Sequence, residues 1–350
     1  MRAAVLFGSF FVLLLLTVPI GYAIGISSLI AIYYFSDIPL IIIAQKSITG
    51  VDSFPLLAIP FFMLAGNLMS SGGIARRLVN FFDALIGHVT GGLGMVTVIV
   101  CMFFAAISGS AVATVSAVGA FMIPEMVDHG YNKPFSAALT AAAGTIGVII
   151  PPSIPFVIYG VVSGTSITDM FTAGFMPGIM MGAALMIVCY FVSKKNGYRG
   201  KEKASSAKEI WVAFKDAFWA ILSPVIILGG IYSGFFTPTE AAVISVVYSF
   251  IVGVFVYKEL DVRGAYKSFK DAIVVNGATT FMVGFSTVFA AFLTMAQIPN
   301  MIAQAILGLT DNAILILLII NIFLLIVGMF IDNIPATIIL TPILLPICTG

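Results

Sequence analysis

The chain has 350 residues, 61% of them hydrophobic and 9% charged, with a net charge of +1. Soluble domains carry about 25% charged residues, so the composition excludes a soluble fold, and the small net charge argues against a nucleic-acid partner. Cys101, Cys189 and Cys348 all fall in apolar stretches without CxxC spacing, which leaves neither a disulfide framework nor a thiolate metal site.

Apolar runs recur along the whole chain, and about 20 such residues span a bilayer as helix. Backbone groups in lipid must bond internally, which leaves helices or closed barrels. Runs such as IVGVFVY and ILILLIINIFLLIVGMF lack the alternation of barrel strands. The predicted fold class is therefore an all-α integral membrane protein.

The N-terminal MRAAVLFGSFFVLLLLTVPIGYA has the look of a signal peptide. Apolar sequence continues through Phe35, however, so this end is read as staying in the membrane. Spans are predicted at 3–17 and 19–35, separated by Pro19 and Gly21, with one long kinked helix as the competing reading. Further spans are predicted at 54–71, 134–163, 168–192, 217–236, 239–257 and 273–297. Between the third and fourth, GGIARRLVNFFDALIG (72–87) places Ile74, Leu78, Phe81, Phe82 and Leu85 on one helical face. Arg76, Arg77 and Asp83 lie opposite, which reads as an interfacial amphipathic helix bracing a moving part, with no chemistry of its own.

Residues 93–126 differ from a plain span. Leu93–Ile107 gives 15 apolar residues, about 22 Å of helix, against a hydrocarbon core of about 30 Å. Ala117–Met126 is shorter still. A helix in, a turn of small residues and a helix back make a re-entrant hairpin with Ser108, Gly109 and Ser110 at its tip. Irregular backbone at that depth is tolerated only against protein or a water-filled cavity, so the tip is a candidate site. Next comes AAAGTIGVIIPPSIP (141–155), where Gly144, Gly147, Pro151, Pro152 and Pro155 interrupt a span. A double proline cannot sit in an unbroken helix. Broken ends free carbonyls, which suit a hard cation, and N–H groups, which suit a carboxylate. A purely structural kink is the plainer alternative.

Residues 193–216 form the one long polar segment, a basic linker that divides the chain into halves at 1–192 and 217–350. GGIARRLVNFFDALIG pairs with PNMIAQAILG (299–308), and ATVSAVGAFMIP (113–124) pairs with ATIILTPILLP (336–346), in the same order. A second re-entrant hairpin is thus expected at 313–347, with tip IDNIPAT (331–337). There Pro335 is expected to stop a helix, and Asp332 is a carboxylate at membrane depth, a functional position by default. The alternative is a solvated Asp332 near the outer surface. With the linker placed in the cytoplasm, fourteen of the sixteen Lys and Arg face inside, and only Arg2 and Lys46 face outside. This requires 93–126 and 313–347 to enter and leave on the same side. If 3–17 and 19–35 are separate spans, each half then crosses an odd number of times, so the repeats are inverted, a common design in secondary transporters.

At these residues the sequence resembles the large membrane subunit of the TRAP transporters, the tripartite ATP-independent periplasmic carriers. The matching stretches are DSFPLLAIPFFMLAGNLM, SGSAVATVSAVGAFMIPEM, IIPPSIPFVIYGVVSG, SGFFTPTEAA and LTPILLP, spread over residues 52 to 346. The resemblance implies sodium-coupled uptake of a small organic acid, of the sialic-acid, sugar-acid or C4-dicarboxylate class, by an elevator mechanism in a bacterial inner membrane. It implies Na⁺ as coupling ion, an extracytoplasmic substrate-binding protein and a small four-helix membrane subunit. By motif it places sodium at Ser108, Gly109, Ser110 and Thr114, at Gly144, Gly147, Val148 and Pro151, and at Asp332, Asn333 and Thr337. Substrate is expected between the tips, at Ser110, Pro152, Ser153 and Asn333. The family pattern also calls for a second broken helix and a final span after hairpin two, and GTIGVIIPPSIP has no counterpart there. An incomplete chain is expected, the alternative being that half of the cation and substrate cage comes from elsewhere.

An ion channel, or a carrier working without a binding protein, is the alternative function. An intramembrane enzyme is disfavoured because no His lies within the predicted membrane to serve as base. An ATP-driven pump is disfavoured because no GxxxxGK[ST] occurs.

Overall fold

The computed structural model describes residues 2–36, 39–201, 203–307, 312–329 and 331–349. Every regular element among them is helical, as the missing strand alternation requires. Six helical stretches are long and apolar enough to cross a membrane: Phe54–Ser71, Ala111–Asp128, Ile167–Asn196, Ala207–Tyr232, Pro238–Val256 and Val262–Met295. The chain divides into two compact units that share two helices.

The first unit holds residues 1–56, 158–165 and 274–350. Helices α1 (Arg2–Leu15) and α2 (Ile20–Phe35) are separate, with Pro19 at the N-cap of α2. Of the two readings for this end, the two-helix one therefore holds. A short helix, α3 (Ile41–Thr49), follows and was not anticipated. The core forms where Leu6 and Phe10 of α1 and Ile24 and Ile32 of α2 meet Phe289, Phe292 and Leu293. The Phe10 ring stands edge-on to Phe289 at 6.0 Å.

The second unit holds residues 57–157 and 166–273. After a 3₁₀ turn at Phe54–Leu57 come α4 (Ala58–Ser71), α5 (Ile74–Ile86), α6 (Gly92–Ser108), α7 (Ala111–Asp128) and α8 (Lys133–Gly144). A second 3₁₀ turn (Thr145–Val148) leads to α9 (Ile154–Ser163), whose second half belongs to the first unit. Then follow α10 (Ile167–Asn196), α11 (Ala207–Tyr232), α12 (Pro238–Ile251), a π turn (Val252–Val256) and α13 (Val262–Met295). The last three helices, α14 (Ile298–Leu307), α15 (Ala313–Gly328) and α16 (Asn333–Thr349), return to the first unit. The axis of the second unit is α6, apolar on every face, with 12 of its 17 residues buried.

Several expected boundaries move. The polar linker expected at 193–216 narrows, because α10 runs to Asn196 and α11 begins at Ala207. Ser206 caps α11 and Glu209 returns the bond, a capping box strong enough to start a helix in charged sequence. The arms of the first hairpin are 17 and 18 residues long, not 15 and 10. Ser110 caps α7, so the helix begins at Ala111, and it runs on through Pro124. Length alone therefore no longer argues that this hairpin turns back inside the membrane. Pro335 does not stop a helix. It sits in the first turn of α16, where a missing N–H costs nothing.

The amphipathic helix α5 does bury Ile74, Leu78 and Phe82. Its expected polar face is only partly polar to solvent. Arg77 pairs with Asp216 at 3.2 Å and with Glu259 at 2.7 Å, and Asp83 pairs with Lys201, while Arg76 stays exposed.

Candidate functional site

The first hairpin tip is built from residues that resolve three conflicting demands. The chain must reverse, so Gly109 takes φ +63, the left-handed region that costs other residues about 1–2 kcal/mol. The reversal must leave few buried polar groups unpaired. The Thr114 hydroxyl therefore donates to the Ser110 carbonyl at 2.8 Å and lies 3.1 Å from the Ser108 hydroxyl. Finally α7 needs a start, and the Ser110 side chain accepts from Ala113 N–H at 3.4 Å. Ser108 and Thr114 are fully buried.

The helix break lies directly against this tip. Gly144 ends α8 beside Val115, and the 3₁₀ turn that follows carries Gly147 and Val148. A β-carbon on Gly147 would stand 2.9 Å from the Ser110 carbonyl oxygen and 2.8 Å from the Thr114 hydroxyl, so only glycine admits this approach. One on Gly109 would meet the Pro152 carbonyl oxygen at 2.7 Å. Across the seam, the Gly109 carbonyl accepts from Ile154 N–H at 3.2 Å. Pro151, joined to Pro152 by a cis peptide, is buried, as are Pro152 and Ser153.

Ser153 closes the break. Its hydroxyl donates to the Val148 carbonyl at 2.6 Å and accepts from Phe156 N–H at 3.4 Å, which makes it the N-cap of α9. The first turn of α9 is then fully used: Ile154 N–H goes to Gly109, Pro155 has none, Phe156 goes to the Ser153 hydroxyl and Val157 to the Ser153 carbonyl. The expectation that this half-helix presents free N–H groups to a carboxylate is not met in this arrangement. The oxygens remain, since carbonyls and hydroxyls accept more than one bond. Those of Ser108, Gly109, Ser110, Thr114, Val148 and Ser153 gather at the seam.

The structure thus brings together the predicted residues Ser108, Gly109, Ser110, Thr114, Gly144, Gly147, Val148, Pro151, Pro152 and Ser153, all in the second unit. Asp332, Asn333 and Thr337 belong to the first. The Asp332 side chain is exposed and, among the described residues, takes no hydrogen bond or ion pair. Asn333 begins α16, and its carbonyl accepts from the Thr337 hydroxyl at 2.7 Å. No group of three or more His, Cys, Asp and Glu side chains converges among the described residues. The donor set at the seam is therefore neutral oxygen, which fits a hard monovalent cation better than a divalent ion that calls for carboxylates.

One feature escaped pattern reading. A cavity of about 310 Å³ in the first unit is lined by Lys46, Thr287 and Thr294 among apolar side chains. Lys46 has no ion-pair partner among the described residues. In the sequence it registers only as an exception to the charge asymmetry.

A family model described as the tripartite ATP-independent periplasmic transporter, DctM component, matches residues 7–349. The isethionate TRAP transporter permease protein DctMQ of Oleidesulfovibrio alaskensis is 47% identical over 343 residues, 98% of this chain and 54% of its own length. The sialic acid TRAP transporter large permease protein SiaM of Vibrio cholerae is 41% identical over 338 residues, 97% of this chain and 79% of its own length. The C4-dicarboxylate TRAP transporter large permease protein DctM of Rhodobacter capsulatus is 36% identical over 361 residues, covering 99% and 82%. The chain spans about half the length of the isethionate relative and about four-fifths of the other two. All three are named as transporter permeases, not as enzymes. With the helical spans described above, these matches bear out the resemblance drawn from the five sequence stretches: the chain belongs to the large permease, or DctM, component of the tripartite ATP-independent periplasmic transporters, a multi-pass protein of the bacterial inner membrane.

Proposed function

We propose that this chain forms the membrane path of a sodium-coupled carrier that imports a small organic acid by an elevator mechanism. The observation behind this reading is the oxygen-lined seam between the tip at Ser108–Ser110 and the helix break at Gly144–Ser153. Ser108, Gly109, Ser110 and Thr114 on one side, and Gly144, Gly147, Val148 and Pro151 on the other, are the groups proposed to hold one Na⁺. A bound Na⁺ supplies positive charge beside Ser110, Pro152 and Ser153, where the anionic group of the substrate is proposed to lie. Asp332, Asn333 and Thr337 are proposed as a second cation-holding set, with Asn333 also toward substrate.

The chain's own part is to order two elements at once. Gly147 lets the broken helix approach Ser110, and Ser153 fixes the depth of the break by holding the Val148 carbonyl. Both elements are then positioned by the same oxygens. The names of the relatives support an organic-acid substrate, among them isethionate, sialic acid, C4-dicarboxylate and 2,3-diketo-L-gulonate. A small membrane subunit and an extracytoplasmic binding protein are the proposed partners, by membership of the family.

The test is uptake into proteoliposomes holding the complete transporter with its binding protein. Those four substrates are offered under an inward Na⁺ gradient and under choline at equal ionic strength. Saturable uptake of one of them in Na⁺ alone is expected. Equal uptake in choline contradicts sodium coupling, and uptake that never saturates favours a channel.

A further inference from the structure

Helix α11 has a weak point that nothing in the transport reading uses. An α-helix closes each rung by a bond from N–H of residue i to C=O of residue i−4. At one rung of α11 a foreign group takes part. Ala220 N–H donates to the Tyr257 hydroxyl at 3.0 Å, and that hydroxyl donates to the Asp216 carbonyl at 3.0 Å. One turn further on, Pro224 has no N–H to offer the Ala220 carbonyl. Ala220 thus belongs to two successive irregular rungs, one bridged and one without its donor. The Tyr248 hydroxyl, from α12, donates to the neighbouring Trp219 carbonyl at 2.7 Å, so a second carbonyl of this stretch is held by a tyrosine.

The hydroxyl is delivered to the rung by two devices. The π turn at Val252–Val256 ends at Tyr257, whose N–H returns to the Val252 carbonyl at 2.8 Å. The Arg77 guanidinium, from α5, lies 3.9 Å from the Tyr257 ring centroid. It also pairs with Asp216, the residue whose carbonyl the hydroxyl takes, and with Glu259 just beyond Tyr257. One side chain of α5 therefore holds both halves of the bridge.

We propose that residues 216–224 of α11 form a hinge, that the Tyr257 hydroxyl is its replaceable rung, and that Arg77 is the positioning residue. Side chains inserted in the helical ladder, and prolines, are the usual causes of sharp helix bends. In the bridged state Asp216 and Ala220 both bond the hydroxyl, and in the closed state they bond each other. Both states satisfy the same two backbone groups, but the bridged state does so with two hydrogen bonds and the closed state with one, so closing the rung costs one modest hydrogen bond and releases the hydroxyl. Such a pair of states can be populated together and biased by a pull on α5. The proposal does not depend on which ion or substrate is carried.

Hydrogen–deuterium exchange on the full transporter in lipid nanodiscs, followed in peptides covering 214–224, tests it. Tyr257→Phe keeps the ring under Arg77 and removes only the hydroxyl. The hinge account expects the rung to close directly, so exchange at 216–220 slows several-fold, while the melting temperature falls only slightly because two bonds through the hydroxyl become one. A plain structural anchor gives the opposite sign, faster exchange, and that result overturns the proposal, as does unchanged exchange. Pro224→Ala, which restores a donor to the second irregular rung, is the independent arm. It is expected to slow exchange at 220–224, and faster exchange there contradicts a hinge. Neither arm uses substrate or Na⁺, so failure here is separable from failure of the transport reading.

Discussion

The two hairpin tips carry related sequence, ATVSAVGAFMIP after the first and ATIILTPILLP after the second, yet they are built differently. The first is closed. Its two key hydroxyls are fully buried, its turn glycine is left-handed, and a second element, the break between α8 and α9, covers it within its own unit. The second is open. Asp332 is exposed, and the Thr337 hydroxyl is spent on its own helix. The difference teaches that a motif supplies oxygens but not their arrangement. The arrangement comes from the element laid against the motif, which at the first tip is the break in GTIGVIIPPSIP.

The sharpest way to break this contrast is to spoil each tip by a comparable change. Gly109→Val forces a β-branched residue into φ +63 with its β-carbon 2.7 Å from the Pro152 oxygen. The backbone strain is about 1–2 kcal/mol, and overpacking adds about 1–3 kcal/mol. A fall of several degrees in melting temperature is expected. Met329→Val, at the exposed end of α15 just before the second tip, is expected to stay within about 0.5 kcal/mol. Equal losses at both positions, read by thermal unfolding in detergent, remove the distinction between closed and open tips.

Ser153→Ala sharpens the contrast from the side of the break. It takes the donor from the Val148 carbonyl and the cap from α9. A loss of about 1–2 kcal/mol is expected, with faster hydrogen exchange at 154–157. Unchanged exchange there means that the break is held by proline geometry alone. Asp332→Asn has the smallest structural effect, since a neutral side chain costs no more than a charged one in lipid or in water. Its expected signature is a raised Na⁺ concentration for half-maximal uptake at unaltered stability. The same Na⁺ dependence as the unaltered protein leaves Asp332 as a solvated tip residue.

Much of this was legible in the sequence because the signals are local. Pro151–Pro152 cannot lie inside a helix, and Ser108–Gly109–Ser110 between apolar runs marks a reversal. What stayed hidden depends on contacts far along the chain or on short signals. The nine-residue helix α3 is too short for periodicity to register. The start of α11 was masked by its charge density, although Ser206 and Glu209 stand at capping-box spacing. Arg77 looked like one of several solvated charges. Its partner Asp216 lies 139 residues away, and only folding reveals that it is occupied. The satisfied N-terminus of α9 was equally invisible, because Ile154 finds its acceptor on Gly109 across the seam.

The central claim is that the first tip and the helix break form one site at which cation and organic acid bind together. If so, each ligand raises the affinity of the other by the same factor. The measurement is calorimetric titration of the purified transporter with its transported acid, in Na⁺ and in choline at matched ionic strength. The account predicts at least about tenfold tighter binding in Na⁺, within the usual range of such couplings, and loss of that gain in Gly147→Ala, which holds the break away from Ser110. Equal affinity in Na⁺ and choline contradicts it and returns these glycines and prolines to a purely structural role.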